Sequence, residues 1–174
     1  VPRAFVTGCA GGGVVLAGVW GGEAELGGLY EPNVGEMVWA QRGFGAMLNG
    51  GGMRVASGVW LESGTVSVGY SNRVKPANVV PIIAALIERR SMYHRNASGA
   101  LSLAYVAAAR LLGYMEEHMN AWDCLAGQLM IAEAGGLVET QNADDMIRNG
   151  GRDIASTPDV FETLQEIAAA HWQG

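Results

Sequence analysis

The chain has 174 residues and a mass of 18.3 kDa, a length that suits one domain with a single hydrophobic core. Apolar residues make up 49% of the sequence and charged residues 16%, a composition that excludes an intrinsically disordered chain. The net charge is −6 and the 11 basic residues form no stripe, so the sequence predicts no direct binding to nucleic acid.

The first third of the chain predicts antiparallel strands that are joined by glycine-rich turns. An apolar, β-prone segment at residues 14–20 is followed by Gly21 and Gly22, a pair that favours a tight hairpin. Further strands are predicted at residues 25–30, 36–40 and 64–70.

Helical spacing of apolar residues dominates the rest of the chain. Helices are predicted at residues 76–90, 98–112, 123–134 and 158–172, with short strands at residues 92–94, 114–118 and 137–140. Thr157 and Pro158 are an N-cap and a first-turn proline for the last helix. No repeat or linker interrupts this order, which predicts a single layered α/β (α+β in some schemes) domain over residues 1–174.

The sequence predicts no disulfide framework, no membrane span and no signal peptide. Cys9 and Cys124 are predicted to be small buried side chains in a reducing compartment. The longest apolar runs, at residues 14–20 and 79–87, are far shorter than the ~20 residues that a membrane span needs. The start V-P-R has no signal-peptide pattern, so we expect a cytoplasmic protein. Because the first residue is not Met, we also expect the chain to begin inside a longer protein.

The stretch W-D-C-L-A-G at residues 122–127, followed by E-A-G-G at residues 133–136, carries the most chemical information. Asp123 opens a predicted helix, where free backbone N–H groups and the positive end of the helix dipole gather. A carboxylate at this place is either an N-cap, which is the more common role, or a metal ligand, and the same helix end can help to hold a phosphate. Trp122 is by default a packing residue.

This stretch resembles the C-terminal signature of the inositol monophosphatase family, W-D-x-[AS]-[AG]-G followed by E-A-G-G, with Leu125 at the place of a small residue. The segment S-G-A-L-S-L-A-Y-V-A at residues 98–107 resembles the family's G-S-A-A-L-x-L-A-Y-V-A helix. The run from L-Y-E-P at residues 29–32 to N-G at residues 49–50 is similar to the family's V-x-Y-D-P…G-x-G-A-x-x-N-G segment. The resemblance therefore covers nearly the whole chain, in the family's order.

The resemblance implies a layered α/β/α/β/α fold and Mg²⁺-dependent hydrolysis of a small phosphate monoester, with inositol monophosphate or a related sugar or polyol phosphate as substrate. It implies that Asp123 is a catalytic residue and a metal ligand, and that Glu116 accepts hydrogen bonds from substrate hydroxyls. The small-residue turn at Ala97, Ser98 and Gly99 is implied to approach the sugar ring. Mg²⁺ prefers carboxylate oxygens, and two such ions can activate water and neutralise the leaving oxygen. Since family members are usually dimers, we also expect a homodimer.

The metal motifs of the family's first half are not found in this sequence. The family supplies a Glu and then D-P-[IV]-D-G-T, and the segment R-A-F-V-T-G at residues 3–8 resembles the family's residues immediately after that motif, with Pro2 at the place of the Thr. One carboxylate cannot hold two Mg²⁺ ions. We therefore interpret the chain as a partial domain that begins just after D-P-x-D-G-T and is inactive alone, with a degenerate relative as the alternative.

The sequence leaves open both the substrate and the question of whether the protein is an enzyme. Histidinol phosphates and nucleotide bisphosphates are the substrates of other members of the superfamily, and both are alternatives here. A non-catalytic binding or assembly protein on the same fold is the alternative of another class, since some bacterial members act in transcription complexes.

Several polar residues are weaker candidates. Ser71 is either a substrate contact or a turn residue, and His94 and His118 have no partner at the spacing of a metal site. Alternation along the strand puts the side chains of Glu116 and Glu117 on opposite faces, so Glu117 is predicted to be a surface acid. Residues 144–145, two aspartates, predict a solvated turn.

Overall fold

The computed structural model describes Gly8 and residues 11–172, which form two β-sheets and two layers of helices. The strands are β1 (Val14–Trp20), β2 (Glu23–Glu31), β3 (Glu36–Gln41), β4 (Gly45–Leu48), β5 (Gly51–Met53), β6 (Thr65–Val68), β7 (Met92–His94), β8 (Gly113–Met119), β9 (Leu137–Val138) and β10 (Gly151–Ser156). The helices are α1 (Pro76–Glu88), α2 (Gly99–Ala107), α3 (Ala121–Glu133), α4 (Ala143–Asn149) and α5 (Pro158–His171), with a 3₁₀ turn at Leu61–Ser63.

The first sheet is an antiparallel meander in which β1 to β5 lie in chain order. Gly21 and Gly22 join β1 to β2 with φ angles of 59° and 80°, and Trp20 pairs with Glu23. Positive φ at both central residues is the geometry of a type I′ turn, so the predicted hairpin is confirmed. Strands β4 and β5 were not predicted, because they are short and rich in glycine.

The second sheet has the strand order β7-β6-β8-β10-β9. Strand β6 runs parallel to both of its neighbours, whereas β10 pairs antiparallel with β8 and β9. The prediction missed β10, since Arg152 and Asp153 interrupt its apolar pattern. This sheet carries β8, the strand on which Glu116 lies.

Helices α2 and α3 pack between the two sheets, and α1 and α5 cover the opposite face of the second sheet. The described residues therefore stack as sheet, helices, sheet, helices, which confirms the layered α/β prediction and accounts for four of the five implied layers. The central layer is tight: a Cβ at Gly127 of α3 would overlap Leu103 of α2, and a Cβ at Gly27 of β2 would lie 2.8 Å from the carbonyl oxygen of Ala126.

Three sequence predictions need correction. Helix α3 begins at Ala121 with Asn120 as its N-cap, so Asp123 is the third helical residue and not the cap. Trp122 is not a packing residue, because 67% of its surface is exposed. The predicted turn at residues 144–145 is the first turn of α4, where the Asn142 side chain accepts a hydrogen bond from the backbone N–H of Asp145.

The sequence also makes predictions about membrane spans and about the two cysteines. In the part of the chain that the structure describes, no helix is both long and apolar enough to cross a membrane. Cys124 is a buried free thiol, as predicted, whereas Cys9 and residues 3–7 lie outside the described residues.

Candidate functional site

A cavity of about 1080 Å³ opens where the turns of both sheets meet the N-terminal ends of α2 and α3. Its walls come from the start of β1, the β2–β3 turn, the segment after β6, the turn before α2, strand β8 and the first turn of α3. This volume is slightly above the roughly 300–1,000 Å³ that small-molecule sites occupy. All five residues that the family resemblance singles out line the cavity: Ala97, Ser98, Gly99, Glu116 and Asp123.

Glu116 is a buried acid in the cavity wall, with only 8% of its surface exposed. The hydroxyl of Tyr114, two residues earlier on the same face of β8, donates a hydrogen bond to Glu116 Oε2 at 2.5 Å. Burial raises the pKa of Glu116, while the Tyr114 hydrogen bond opposes that rise. Glu116 Oε1 receives no hydrogen bond from Tyr114 and can therefore accept one from a ligand.

Glu117 is directed to the other side of the sheet, where Asn78 Nδ2 of α1 donates to its Oε1 at 2.7 Å. It is half-buried, and its Oε2 is shielded from solvent without a hydrogen-bond partner among the described residues. The prediction of a surface acid is therefore wrong for Glu117. The two neighbouring glutamates nevertheless differ as strand alternation requires, since only Glu116 lines the cavity.

Two glycines let the cavity walls approach Glu116 closely. A Cβ at Gly69, just after β6, would overlap both Glu116 Oε2 and the Tyr114 hydroxyl. A Cβ at Gly99, the first residue of α2, would lie 2.7 Å from the same hydroxyl and 2.6 Å from Met119 Cε. Glycine at these positions therefore keeps the Tyr114–Glu116 pair in place and accessible.

The turn before α2 is fixed by its own hydrogen bonds. Asn96 Oδ1 accepts from the backbone N–H of Ser98 at 3.1 Å, and Ser98 Oγ accepts from the N–H of Leu101 at 3.2 Å. Ser98 is thus the N-cap of α2. Its hydroxyl hydrogen is not used by this cap and can be donated to a ligand in the cavity.

Asp123 enters the cavity from the first turn of α3. Partial burial raises the pKa of its carboxyl group, and the positive charge of Arg73 opposes that rise. Arg73 is held nearby, since its Nη1 donates to the side-chain oxygen of Asn120, the N-cap of the same helix, at 3.3 Å. The charged form of Asp123 is therefore poorly solvated and would be stabilised by a cation.

Sequence reasoning missed both arginines of this cavity, Arg73 and Arg95, and it missed Tyr114, the hydrogen-bond partner of Glu116. Tyr114 could have been found from alternation with Glu116 along the strand. Arg95 is adjacent to the predicted turn, and its Nη2 donates to the Tyr70 carbonyl oxygen at 3.4 Å while the guanidinium lies 5.5 Å from the centre of the Tyr70 ring. Nothing in the sequence pattern indicates that Arg73 faces the same cavity.

Mg²⁺ takes six oxygen ligands and usually retains several waters among them. Among Gly8 and residues 11–172, no group of three or more His, Cys, Asp or Glu side chains is placed to hold a metal ion. His94 and His118 belong to no such group among these residues. Asp123 fits as a single carboxylate ligand, but the described residues do not fit a complete two-metal centre.

The sequence profile described as inositol monophosphatase family matches residues 3–173 of the chain. The Nus factor SuhB of Haemophilus influenzae is 35% identical over 165 residues, which cover 93% of this chain and 61% of that protein. The Nus factor SuhB of Escherichia coli K12 is 32% identical over 145 residues, which cover 82% of this chain and 54% of that protein. The chain thus spans less than two thirds of the length of these relatives.

Solved structures show the same fold. The extragenic suppressor protein suhB of Bartonella henselae superposes with a TM-score of 0.86 at 30% identity, covering 95% of this chain and 64% of that one. An inositol monophosphatase from Anabaena superposes with a TM-score of 0.86 at 25% identity, covering 97% of this chain and 68% of that one.

Proposed function

The chain belongs to the inositol monophosphatase family, and we propose that the complete protein hydrolyses a small phosphate monoester, most directly inositol monophosphate or a related polyol phosphate. One observation carries this proposal: Glu116, Asp123 and the turn at residues 97–99, from separate elements of the chain, line the same cavity. That arrangement offers acceptors for sugar hydroxyls beside a carboxylate of the kind that binds hard cations.

Glu116 and the α2 turn are proposed to bind the polyol part of the substrate. The Tyr114 hydroxyl fixes one oxygen of Glu116, which orients the other oxygen toward the hydroxyls of a bound ring. Gly99 and Ala97 leave room for that ring, and Ser98 can donate its hydroxyl hydrogen. Because Glu116 is buried, hydrogen bonds to its carboxylate are stronger than they would be in water.

Mg²⁺ is the proposed cofactor, with Asp123 as one of its ligands. When bound, this ion supplies charge neutralisation on the phosphate and an activated water. The remaining ligands of a two-metal centre would have to come from chain beyond the described residues, in agreement with the family's first-half motif. We further propose, on the family resemblance, that the complete protein works in the cytoplasm as a homodimer.

Phosphate release by the complete protein tests this proposal. Inositol monophosphate, histidinol phosphate and a nucleotide bisphosphate are each incubated with Mg²⁺ or with a chelator. We expect Mg²⁺-dependent release, fastest from a polyol ester. Absence of release from all three esters in the presence of Mg²⁺ would refute the proposed activity.

A non-catalytic assembly role is the second candidate, because the SuhB relatives of Haemophilus influenzae and Escherichia coli carry the name Nus factor. Binding of the complete protein to purified transcription elongation complexes, measured by size-exclusion chromatography, tests this role. Binding that Asp123→Asn leaves intact, together with no hydrolysis by the wild-type protein, would favour assembly over catalysis. Hydrolysis without such binding would favour the enzyme.

A further inference from the structure

We propose that Asp153 is a positioning residue for Glu116: its buried carboxyl group, when protonated, keeps the cavity wall in the form that binds the polyol, and loss of that proton weakens substrate binding. The inference rests on the proposed function, in which Glu116 binds the polyol part of the substrate. Asp153 does not line the cavity and is not one of the residues for which the family resemblance implies a role.

The strand register places Asp153 next to Glu116. The two residues lie directly opposite each other on the antiparallel strands β10 and β8. Side chains of directly opposite residues project from the same face of a sheet, with Cβ atoms about 4.5–5.5 Å apart. That face packs against α3, because Gln128 Nε2 of this helix donates a hydrogen bond to Asp153 Oδ1 at 3.1 Å. Asp153 therefore lies beside Glu116 and behind the cavity wall, in the layer between the two sheets.

The surroundings of the Asp153 carboxyl group fit its neutral form. The residue has no exposed surface, and Gln128 donates the one hydrogen bond that it receives in the described part of the chain. Its Oδ2 is shielded from solvent and has no partner among these residues. A buried carboxylate needs a cation or several hydrogen-bond donors, which a protonated carboxyl group does not. Deprotonation therefore leaves a poorly compensated negative charge directly beside Glu116.

The hydrogen bond to Gln128 also connects Asp153 to the helix that carries Asp123. Gln128 follows Asp123 by five residues on α3, and no other side-chain hydrogen bond among the described residues joins α3 to a strand of the second sheet. A charge on Asp153 repels Glu116, and it is relieved by entry of water or by a shift of α3 against the sheet. Either change disturbs the wall that carries both acids.

Asp153 changes its charge near neutral pH, unlike two of its titratable neighbours. The titratable and charged groups that act on it or are acted on by it come from both sides of β10 and from α3: Glu116 and Tyr114 of β8, Cys124 of α3, and Glu139 after β9, which pairs with Arg152. Burial raises the pKa of Asp153 to about 7; the Gln128 hydrogen bond opposes this rise, and the charges of Glu116 and Glu139 add to it. Burial also raises the pKa of Tyr114 and of Cys124, so both stay uncharged at pH 7.

Steady-state kinetics of the complete protein at pH 6, 7 and 8 test the proposal with the variant Asp153→Asn. Asn is the neutral analogue of the protonated acid, because it keeps an oxygen for Gln128 and cannot ionise. We expect equal KM values for inositol 1-phosphate at pH 6. At pH 8 the wild-type KM should be about ten-fold higher than that of the variant, since only about a tenth of Asp153 then keeps its proton. The ratio of the two kcat values should change less.

The comparison at each pH uses the same ester, so ionisation of its phosphate group cancels in the ratio of the KM values. The matched control is Asp144→Asn, which removes an equal charge from an exposed residue outside the cavity. This variant should follow the wild-type protein at every pH.

A second measurement reads the effect of Asp153 on Glu116 without hydrolysis. The complete protein is labelled with ¹³C at the side-chain carboxyl carbons of glutamate, and the Glu116 signal is assigned by its loss in Glu116→Gln. In NMR spectra between pH 5 and pH 9, we expect this signal to shift in a step near pH 7 in the wild-type protein and in Asp144→Asn. Asp153→Asn should lack that step.

A ratio of wild-type to Asp153→Asn KM that stays near one from pH 6 to pH 8 would overturn the proposal. A Glu116 signal without a step near pH 7 in the wild-type protein, or a step that Asp153→Asn retains, would also overturn it. The wild-type spectra decide the question even if Asp153→Asn does not fold. Hydrolysis with a constant KM ratio contradicts the positioning role only, whereas the step near pH 7 without any hydrolysis contradicts the phosphatase activity only.

Discussion

Glu116 and Asp153 lie directly opposite each other on the neighbouring antiparallel strands β8 and β10. Asp153 is fully buried, and its Oδ1 accepts a hydrogen bond from Gln128 Nε2 of α3 at 3.1 Å. Its Oδ2 has no partner in the described part of the chain. Burial raises the pKa of Asp153 to about 7; the Gln128 hydrogen bond opposes this rise, and the charge of Glu116 adds to it. A second carboxyl group, which ionises only near neutral pH, thus lies beside the acid that is proposed to bind substrate.

The first prediction concerns stability as a function of pH. The pKa of Asp153 is about 7 in the folded protein against an ordinary value of 3.8. The contribution of this group to the free energy of unfolding is therefore fully present below pH 3.8 and is lost as the pH rises from 3.8 through 7. Between pH 5 and pH 8 the wild-type protein should lose about 3 kcal/mol of unfolding free energy from this group. Asp153→Asn cannot ionise and should not show that loss in urea unfolding. The control Asp144→Asn, at an exposed residue, should follow the wild-type pH profile, and a parallel profile for Asp153→Asn would contradict the prediction.

The second prediction separates the two neighbouring glutamates by steady-state kinetics. Glu116→Gln in the complete protein should raise KM for inositol monophosphate, by about ten- to a hundred-fold, more than it lowers kcat, because it weakens charge-assisted bonds to substrate hydroxyls. Glu117→Gln is the matched control, since Glu117 contacts Asn78 on the other side of the sheet. Equal and small effects of both changes would show that neither acid binds the substrate.

The third prediction uses the close approach of Gly69 to the Tyr114–Glu116 pair. Gly69→Ala places a methyl group where Glu116 Oε2 and the Tyr114 hydroxyl lie, and should cost about 1–3 kcal/mol of stability and weaken substrate binding. Gly52→Ala adds the same methyl group into open space on β5 and should stay within about 0.5 kcal/mol of the wild-type protein. Urea unfolding measures both changes. If Gly69→Ala is as stable as Gly52→Ala and binds substrate normally, the close approach of Gly69 to the Tyr114–Glu116 pair does not constrain the site.

The amphipathic and glycine-punctuated parts of the fold could be predicted from the sequence. Strand β1 and strand β7 match the predicted residues, and α1 and α5 differ only at their ends. Helix α2 stops at Ala107, five residues before the predicted end, because Ala109 takes a positive φ of 60° and breaks the helical pattern. Local sequence patterns cannot show such a break when the residues are alanines, which favour helices.

Part of the candidate site was predicted from the family resemblance, whereas the elements of the fold were predicted from local sequence patterns. The family resemblance selected residues that line one cavity, although residues 97–99, Glu116 and Asp123 lie on three elements that no local pattern connects. Arg73, Arg95 and Asp153 were missed because their relevance depends on tertiary placement: two positive charges line a cavity, and one carboxyl group is buried away from water. The local sequence around a charged residue in a loop or strand does not indicate whether the folded chain places that residue at a cavity or buries it.

Mg²⁺-dependent phosphate release by the complete protein and its Asp123→Asn variant is the sharpest test of Asp123 as a metal ligand in phosphate-ester hydrolysis. Asn retains the size of the side chain in the first turn of α3 but lacks the charge that a hard cation requires. Asp144→Asn is the matched control, since it removes the same charge from the first turn of α4. We expect Asp123→Asn to fold normally and to lose hydrolysis of inositol monophosphate, and we expect Asp144→Asn to retain it. Near wild-type hydrolysis by Asp123→Asn would show that the Asp123 carboxylate does not hold the catalytic metal.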